Sequence, residues 1–181
     1  MRALAAGLAL WSGAAGAVCV EGPITAMDLA DGTTIAVTGR EGDRIATEHL
    51  GLGITQLHWQ GLIPLSSVNR QARHEWRWPD PLPDLTALQQ GAVLRLSGSK
   101  TFNGTPDGLI GWTIRAEGQG TDTIAGCDYP VQLLRVEETF DGSPRSEAVY
   151  HLHTASGVVL GIDLVNLFTG EVMPDMPVAV E

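Results

Sequence analysis

The sequence predicts an all-β protein, a curved antiparallel sheet that forms a partly open barrel or sandwich of about nine strands, with at most one short helix. Glycine and proline, 22 and 10 residues respectively, interrupt the 181-residue chain at short intervals. Such punctuation is typical of short strands joined by turns. In addition, no long segment keeps the 3.6-residue period of an amphipathic helix, whereas several segments alternate apolar and polar residues.

The first half is predicted to form antiparallel hairpins. A turn at 31–32 leads into a strand at 33–38, and a second turn at 39–43 leads into a strand at 44–49. The stretch LHWQGLIPLSSV is expected to be a strand that Pro64 breaks.

A proline-rich connection, PDPLPDLTALQQG at 79–91, divides the two halves. The preceding strand, RHEWRWP, alternates and places His74, Trp76 and Trp78 on one face. In the connection, Asp84 is suited to cap one or two helical turns. Each half alone is too small for a comfortable core, so we expect a single domain.

The second half is predicted to contain longer strands. These are AVLRLSG, LIGWTIRAEG, GTDTIAG, CDYPVQLLRVEETF, EAVYHLHTA and GVVLGIDLVNLF, the last two paired through the turn at 156–157. In LIGWTIRAEG, Ile110, Trp112 and Ile114 share a face. The tail EVMPDMPVAVE holds two prolines and is expected to be an irregular edge.

The first 17 residues have the features of an export signal. Arg2 is followed by an apolar run at 3–11 and by small residues that end in Ala-Gly-Ala, which predicts cleavage before Val18 and a β-rich domain over 18–181. No later stretch approaches the ~20 apolar residues of a membrane span, so no transmembrane segment is expected after cleavage. Lipidation of Cys19 is disfavoured because valine precedes it, where glycine, alanine or serine is normal. We expect an exported protein, in the bacterial periplasm or secreted.

The two cysteines, Cys19 and Cys127, both lie after the predicted cleavage site. In an oxidising compartment two cysteines usually pair, which predicts a disulfide between them. The alternative is two unpaired or metal-bound thiols, but no CxxC or Cys-His spacing supports it.

Charge excludes one class of partner. The formal net charge is −10, and Lys100 is the single lysine. A chain this acidic, without a basic patch, repels phosphate backbones, so we expect no nucleic-acid binding. Anionic membrane surfaces are disfavoured for the same reason.

The aromatic residues of the strands are the first candidate site. They are Trp76, Trp78, Trp112, Tyr129 and Tyr150. One interpretation is a concave, aromatic-lined pocket for an apolar ligand. The other is a core filled with large rings, since a folded sheet must bury one face in any case.

The second candidate site is the histidine pair His151 and His153. Side chains two residues apart on a strand point the same way, as metal ligands must, and Asp163 could add a carboxylate. However, Tyr150 and Leu152 make the better apolar row, which predicts that the histidines face solvent. No HExxH motif is present.

Signatures of catalysis and of organic cofactors are missing from the sequence. There is no G-x-S-x-G elbow, and the glycines at 51–53 form only a lone GxG without a strand–helix context. We therefore expect no cofactor and favour a non-catalytic protein.

Two parts of the chain resemble exported bacterial β-proteins of unknown function. The segments TDTIAGCDYPVQLLRVEETF and AVYHLHTASGVVLGIDL resemble a recurring module of such proteins, and DGTTIAVTGREGD resembles their opening hairpins. The resemblance implies a curved antiparallel sheet that wraps around its own concave face, as in periplasmic lipoprotein carriers. It implies no catalytic residues.

Three hypotheses for function follow. The leading one is a non-catalytic envelope protein that binds an envelope protein or an apolar small molecule on the aromatic-lined face. The second is a metal-binding protein or metal-dependent hydrolase that uses His151 and His153. The third is a purely structural or interaction domain.

Overall fold

A computed structural model describes residues 19–181 as one antiparallel sheet of thirteen strands, with no helix in that range. The predicted signal peptide lies outside these residues. The strands are β1 (Ala26–Leu29), β2 (Thr34–Glu41), β3 (Arg44–His49), β4 (Ile54–Trp59), β5 (Ile63–Val68), β6 (Arg73–Arg77), β7 (Val93–Phe102), β8 (Thr105–Ile124), β9 (Cys127–Phe140), β10 (Ser143–His153), β11 (Val158–Val165), β12 (Val172–Asp175) and β13 (Pro177–Val180). The predicted all-β antiparallel class is confirmed, but the count of about nine strands is wrong.

The strands are arranged as a meander that nearly closes into a barrel. Each strand from β1 to β11 pairs with the next one along the chain, and β13 pairs with β1 at the edge opposite β12. Only Met176 separates β12 from β13. The C-terminal segment therefore supplies the edge strand on each side of the sheet.

The prediction for LHWQGLIPLSSV is wrong about where the chain turns. The break falls at Gln60 and Gly61, which have positive φ of 44° and 66°, as a tight hairpin turn requires. Pro64 lies inside β5, opposite His58, where the register of the β4–β5 pair shifts. On its other side β5 pairs with β6 only from Ser66 onward, so the missing N–H of proline removes no hydrogen bond there.

Two other boundaries also differ from the prediction. The tail is not irregular but forms β12 and β13, because both of its halves find an edge to pair with. Conversely, LIGWTIRAEG and the first five residues of GTDTIAG belong to one 20-residue strand, β8. A bulge between Ala116 and Gly118 bends this strand, and Gly118 has φ +137°, which disfavours any side chain there.

The connection at 79–91 packs against the sheet without forming a helix. Asp84 Oδ1 accepts hydrogen bonds from the backbone N–H (3.0 Å) and the hydroxyl (2.7 Å) of Thr86, a local turn. Leu85, between Asp84 and Thr86, is fully buried, and its backbone N–H donates to Gln60 Oε1 at 2.6 Å. The connection is thus packed onto the sheet as part of its core.

The buried residues form two clusters. Core A contains Leu62, Ile63, Leu85, Leu96, Ile110, Trp112, Ile114, Ala116, Leu134, Val136 and Leu152. Core B contains Ile24, Met27, Ile45, Ile124, Cys127, Tyr129, Val131, Val158 and Leu160. Because side chains alternate along a strand, Leu134 of core A and Tyr129 and Val131 of core B lie on opposite faces of β9. Both faces of this strand are therefore covered.

The predicted disulfide is present. Cys19 and Cys127 are joined with an S–S distance of 2.02 Å, and no cysteine among residues 19–181 is free. The bond ties the N-terminal segment to the start of β9 inside core B, where Cys127 is buried. With a sequence separation of 108 between the cysteines, the chain-entropy model assigns the bridge about 4–5 kcal/mol of stability.

Candidate functional site

A cavity of about 410 Å³ lies between the strands of the two halves of the chain. Its size is within the range of roughly 300–1,000 Å³ found for small-molecule sites. The lining residues are Met27, Ile35, Ile45, Thr47, His49, Gln56, His58, Gly61, Leu62, Pro64, Trp76, Trp112, Tyr150, Val158, Val159 and Ile162. Larger concavities of about 520–620 Å³ also occur, among them the groove over Gly98 and Gly111. The cavity of about 410 Å³ is distinguished from them by its largely aromatic and aliphatic lining.

One wall of the cavity is aromatic. Trp76, Trp112 and Tyr150 contribute to it from β6, β8 and β10. Trp112 is anchored, since its indole Nε1 donates to Glu138 Oε2 at 2.9 Å. Burial, with a smaller contribution from Glu138, raises the pKa of Tyr150 to about 12. The phenol therefore keeps its proton at any physiological pH, and the wall is uncharged.

The wall formed by the β3–β4 pair is polar. Residues 45, 47 and 49 of β3 share a face, as do residues 56 and 58 of β4, and the pairing sets Thr47 opposite Gln56. His49 Nε2 donates to Gln56 Oε1 at 3.2 Å. The result is a strip of two histidines, an amide and a hydroxyl in an otherwise apolar cavity.

His58 is the most perturbed group of this strip. Burial, and then the nearby His49, lower the pKa of His58 to about 4. The ring is therefore neutral at pH 7, with one nitrogen able to donate and the other to accept a hydrogen bond. No residue in the described range 19–181 forms a hydrogen bond with either nitrogen, and neither is sealed from the cavity.

The structure brings together three of the five aromatic residues singled out from the sequence. Trp76, Trp112 and Tyr150 line the cavity. Trp78 packs behind it, with its ring centroid 5.6 Å from that of Trp112 and its indole N–H donating to the carbonyl of Pro64. Tyr129 lies in core B but outside the cavity lining, to which Met27, Ile45 and Val158 of the same core contribute.

Sequence reasoning missed the polar strip. The signal was present in RIATEH and ITQLHW, where Thr47 and His49 on one strand and Gln56 and His58 on the next recur with a period of two. A row of polar residues that follows a buried isoleucine, Ile45, on the same strand face indicates that this face is partly buried and not solvent-exposed.

The predicted placement of the other histidine pair is only half correct. His151 and His153 do lie on the face opposite Leu152, but that face is not solvent-exposed. His153 is 4% exposed and the side chain of His151 13% exposed. The reason is that the sheet wraps far enough for core B to cover this face, with His153 edge-on against Tyr129 at 5.9 Å between ring centroids.

The contacts of the pair are those of structural residues. His151 Nδ1 lies 2.8 Å from Asp122 Oδ1 and its Nε2 lies 3.3 Å from Asp163 Oδ2, so each ring nitrogen faces a carboxylate. His153 Nδ1 is 2.8 Å from Ser156 Oγ, and burial lowers the pKa of His153. Within residues 19–181, no group of three His, Cys, Asp or Glu side chains is arranged to hold a metal ion.

Comparison with known proteins identifies a similar fold. The chain resembles the crystal structure of the hypothetical lipoprotein YmcC from Escherichia coli (K12), with a TM-score of 0.56 and 16% sequence identity over 87% of this chain and 83% of that one. At this identity the likeness concerns the fold alone. No family model matches the sequence, and no curated protein matches it. Across residues 19–181 there is no helix of the length and apolarity that crossing a membrane requires.

Proposed function

We propose that this chain is a non-catalytic, exported protein of the bacterial envelope that holds an apolar small molecule in the cavity. The observation that carries the proposal is the cavity of about 410 Å³ with three aromatic rings on one wall and a neutral polar strip on another. Large rigid rings bury much ligand surface at a low cost in side-chain entropy, while a few polar groups orient the ligand.

Export is supported by two observations. The first 17 residues have the pattern of a cleavable signal, and Cys19 and Cys127 form a disulfide. Disulfides persist in oxidising compartments such as the periplasm. The fold shared with a bacterial lipoprotein is compatible with this location, and we propose the periplasm as the compartment.

The cavity also accounts for the aromatic residues better than a closed core would. Trp112 is only 5% exposed, but it reaches both core A and the cavity. Trp76 and Tyr150 pack against core A without being part of its fully buried set. Rings that pack on one side and leave the other side free are suited to hold a ligand of similar apolarity.

The test is a titration of the mature protein with N-phenyl-1-naphthylamine, a neutral apolar fluorophore, followed by tryptophan quenching. We expect saturable binding of one probe per chain. Tryptophan fluorescence should be quenched on binding, because two of the tryptophans line the cavity. Val159→Phe, which fills the cavity, should abolish it. Val178→Phe is the matched control, because Val178 is 53% exposed on β13 and outside the cavity.

Two results would contradict the proposal. One is the absence of saturable binding to the folded wild-type protein. The other is equal binding by a folded Val159→Phe variant, which would place the probe elsewhere on the surface. Either would leave a structural or interaction domain, whose partner would then be an envelope protein.

A further inference from the structure

The lining of the cavity carries no side chain with a full charge. None of its sixteen residues is Asp, Glu, Lys or Arg, although the chain has 21 acidic and 11 basic residues. A charged group inside such a cavity would lose its hydration without gaining a counter-ion, which costs several kcal/mol. The cavity therefore discriminates against ligands that place a carboxylate or an ammonium group inside it.

The polar strip is nevertheless incompletely paired. A polar group that lines a cavity without a partner in the chain keeps its donor and acceptor available to water or to a ligand. His58 is such a group: it is partly exposed, lines the cavity and makes no side-chain hydrogen bond with the described residues. By contrast, the enclosed His153 bonds Ser156, and His151 bonds Asp122 and Asp163.

Donors and acceptors are both available beside His58. Because His49 Nε2 donates to Gln56 Oε1, the amide N–H groups of Gln56 remain free to donate into the cavity. Thr47 is 7% exposed and its hydroxyl can both donate and accept. A neutral His58 offers one donor and one acceptor nitrogen. The strip thus matches groups that donate and accept without carrying a charge.

We propose that the ligand is a neutral amphipath, with an apolar body against Trp76 and Trp112 and an uncharged alcohol, phenol, ester or amide group on the strip of Thr47, Gln56 and His58. This rests on the proposed function, since it assigns the chemistry of a ligand for the same cavity. The strip forms hydrogen bonds with the polar group, and the aromatic wall packs against the hydrocarbon.

The experiment compares probes that share one chain and differ in their head group. 1-Octanol, octanoate, octylammonium and n-octane compete with N-phenyl-1-naphthylamine for the mature protein at pH 7.5. We expect 1-octanol to displace the fluorophore at a concentration at least about tenfold lower than either charged probe, because only it enters without desolvating a charge.

Variants of the strip separate hydrogen bonding from simple hydrophobicity. His58→Leu should lower the affinity for 1-octanol about three- to tenfold, which is the usual contribution of a neutral hydrogen bond. It should leave the affinity for n-octane within about twofold of the wild-type value. Thr47→Val is an independent second variant that carries the test if His58→Leu does not fold. Thr55→Val is the matched control for Thr47→Val, since Thr55 is exposed on β4, lies outside the cavity lining and should leave the binding of every probe unchanged.

The outcomes distinguish this inference from the function beneath it. If octanoate or octylammonium binds as well as 1-octanol, or if neither His58→Leu nor Thr47→Val weakens 1-octanol, the neutral-amphipath inference is wrong while n-octane binding still supports the cavity. If no probe, n-octane and the fluorophore included, binds the folded protein, the proposed function fails and this inference fails with it.

Discussion

The two faces of the β9–β10 pair carry similar residues but do different things. On the core A face, Tyr150 of β10 borders the cavity together with His58. On the core B face, Tyr129 packs against His153, and His151 lies between two carboxylates. Aromatic rings and histidines therefore occur on both faces. The difference is in hydrogen bonding, because on the core B face both histidines have side-chain partners, whereas His58 has none among the described residues.

This comparison shows that a histidine's neighbours decide its role more than its place in a pattern. The pair spaced two residues apart looked like metal ligands, but its nitrogens are engaged within the protein. The inconspicuous His58 faces a cavity. Changes on the Tyr129–His153 side of core B should therefore affect stability. Changes at the cavity lining, to which Met27, Ile45 and Val158 of core B also contribute, should affect binding.

The largest expected effect is on the core B face, at the disulfide. Replacing Cys19 and Cys127 with serine should lower the free energy of unfolding by about 4–5 kcal/mol, because the long loop is no longer constrained in the unfolded chain. The affinity of the folded fraction for N-phenyl-1-naphthylamine should be unchanged. Urea denaturation and fluorescence titration measure the two quantities. An unchanged denaturation midpoint, or a loss of binding by folded protein, would contradict the separation of the two faces.

The second prediction compares the loss of unfolding free energy on truncating a residue inside core A with the loss on truncating a residue of the cavity wall. Leu152→Ala should cost about 2–5 kcal/mol of unfolding free energy, because Leu152 is fully buried and its truncation leaves a void. Val159→Ala, which enlarges an existing cavity, should cost less. Equal losses in urea denaturation would mean that the space beside Val159 is packed as tightly as the core.

The third prediction concerns pH. With a folded pKa of about 4 and an unfolded pKa near 6.5, His58 favours the folded state fully above pH 6.5. Below this the unfolded chain takes up the proton first, so stability should fall progressively between pH 6.5 and pH 4, by about 2–3 kcal/mol in total.

The matched variant for the pH prediction is His58→Gln, which cannot titrate. Its unfolding free energy, measured in urea at pH 7.5, 5.5 and 4.5, should fall less steeply than that of the wild type. Some slope should remain, since the pKa values of His74 and His153 are also lowered by burial. An identical slope in both proteins would show that His58 is hydrated and not enclosed.

The smallest expected effect is that of zinc. Because both ring nitrogens of His151 face carboxylates and His153 bonds Ser156, equimolar Zn²⁺ should leave the melting temperature within about 1 °C of its value in EDTA. Differential scanning calorimetry makes the comparison. A rise of several degrees that disappears in the His151→Ala/His153→Ala variant would instead support the metal hypothesis.

Local patterns predicted much of the fold. Alternation in CDYPVQLLRVEETF matches β9 to the residue, and compartment reasoning predicted the Cys19–Cys127 bond. What local patterns could not predict is which faces become covered. The solvent exposure expected for His151 and His153 was wrong because core B lies on that face, and core B includes Ile24 and Met27 from a distant part of the chain.

The candidate site was predictable to a similar extent. Strand alternation identified Trp76, Trp112 and Tyr150 as candidates, but it could not distinguish them from Tyr129. The curvature of the sheet decides which strand faces meet, and local alternation does not encode that curvature. The polar strip of β3 and β4 required knowing that this hairpin lies opposite β8 and β10. Two short strands with mixed polarity carry no such long-range information in their own sequence.

The most direct test of the central claim is a crystal structure of the mature protein soaked with 1-octanol. We expect one probe molecule in the cavity, with its chain against Trp76 and Trp112 and its hydroxyl within hydrogen-bonding distance of His58. A structure in which these rings close on one another and leave no space beside His58 would contradict the account, and the chain would then be a structural or interaction domain.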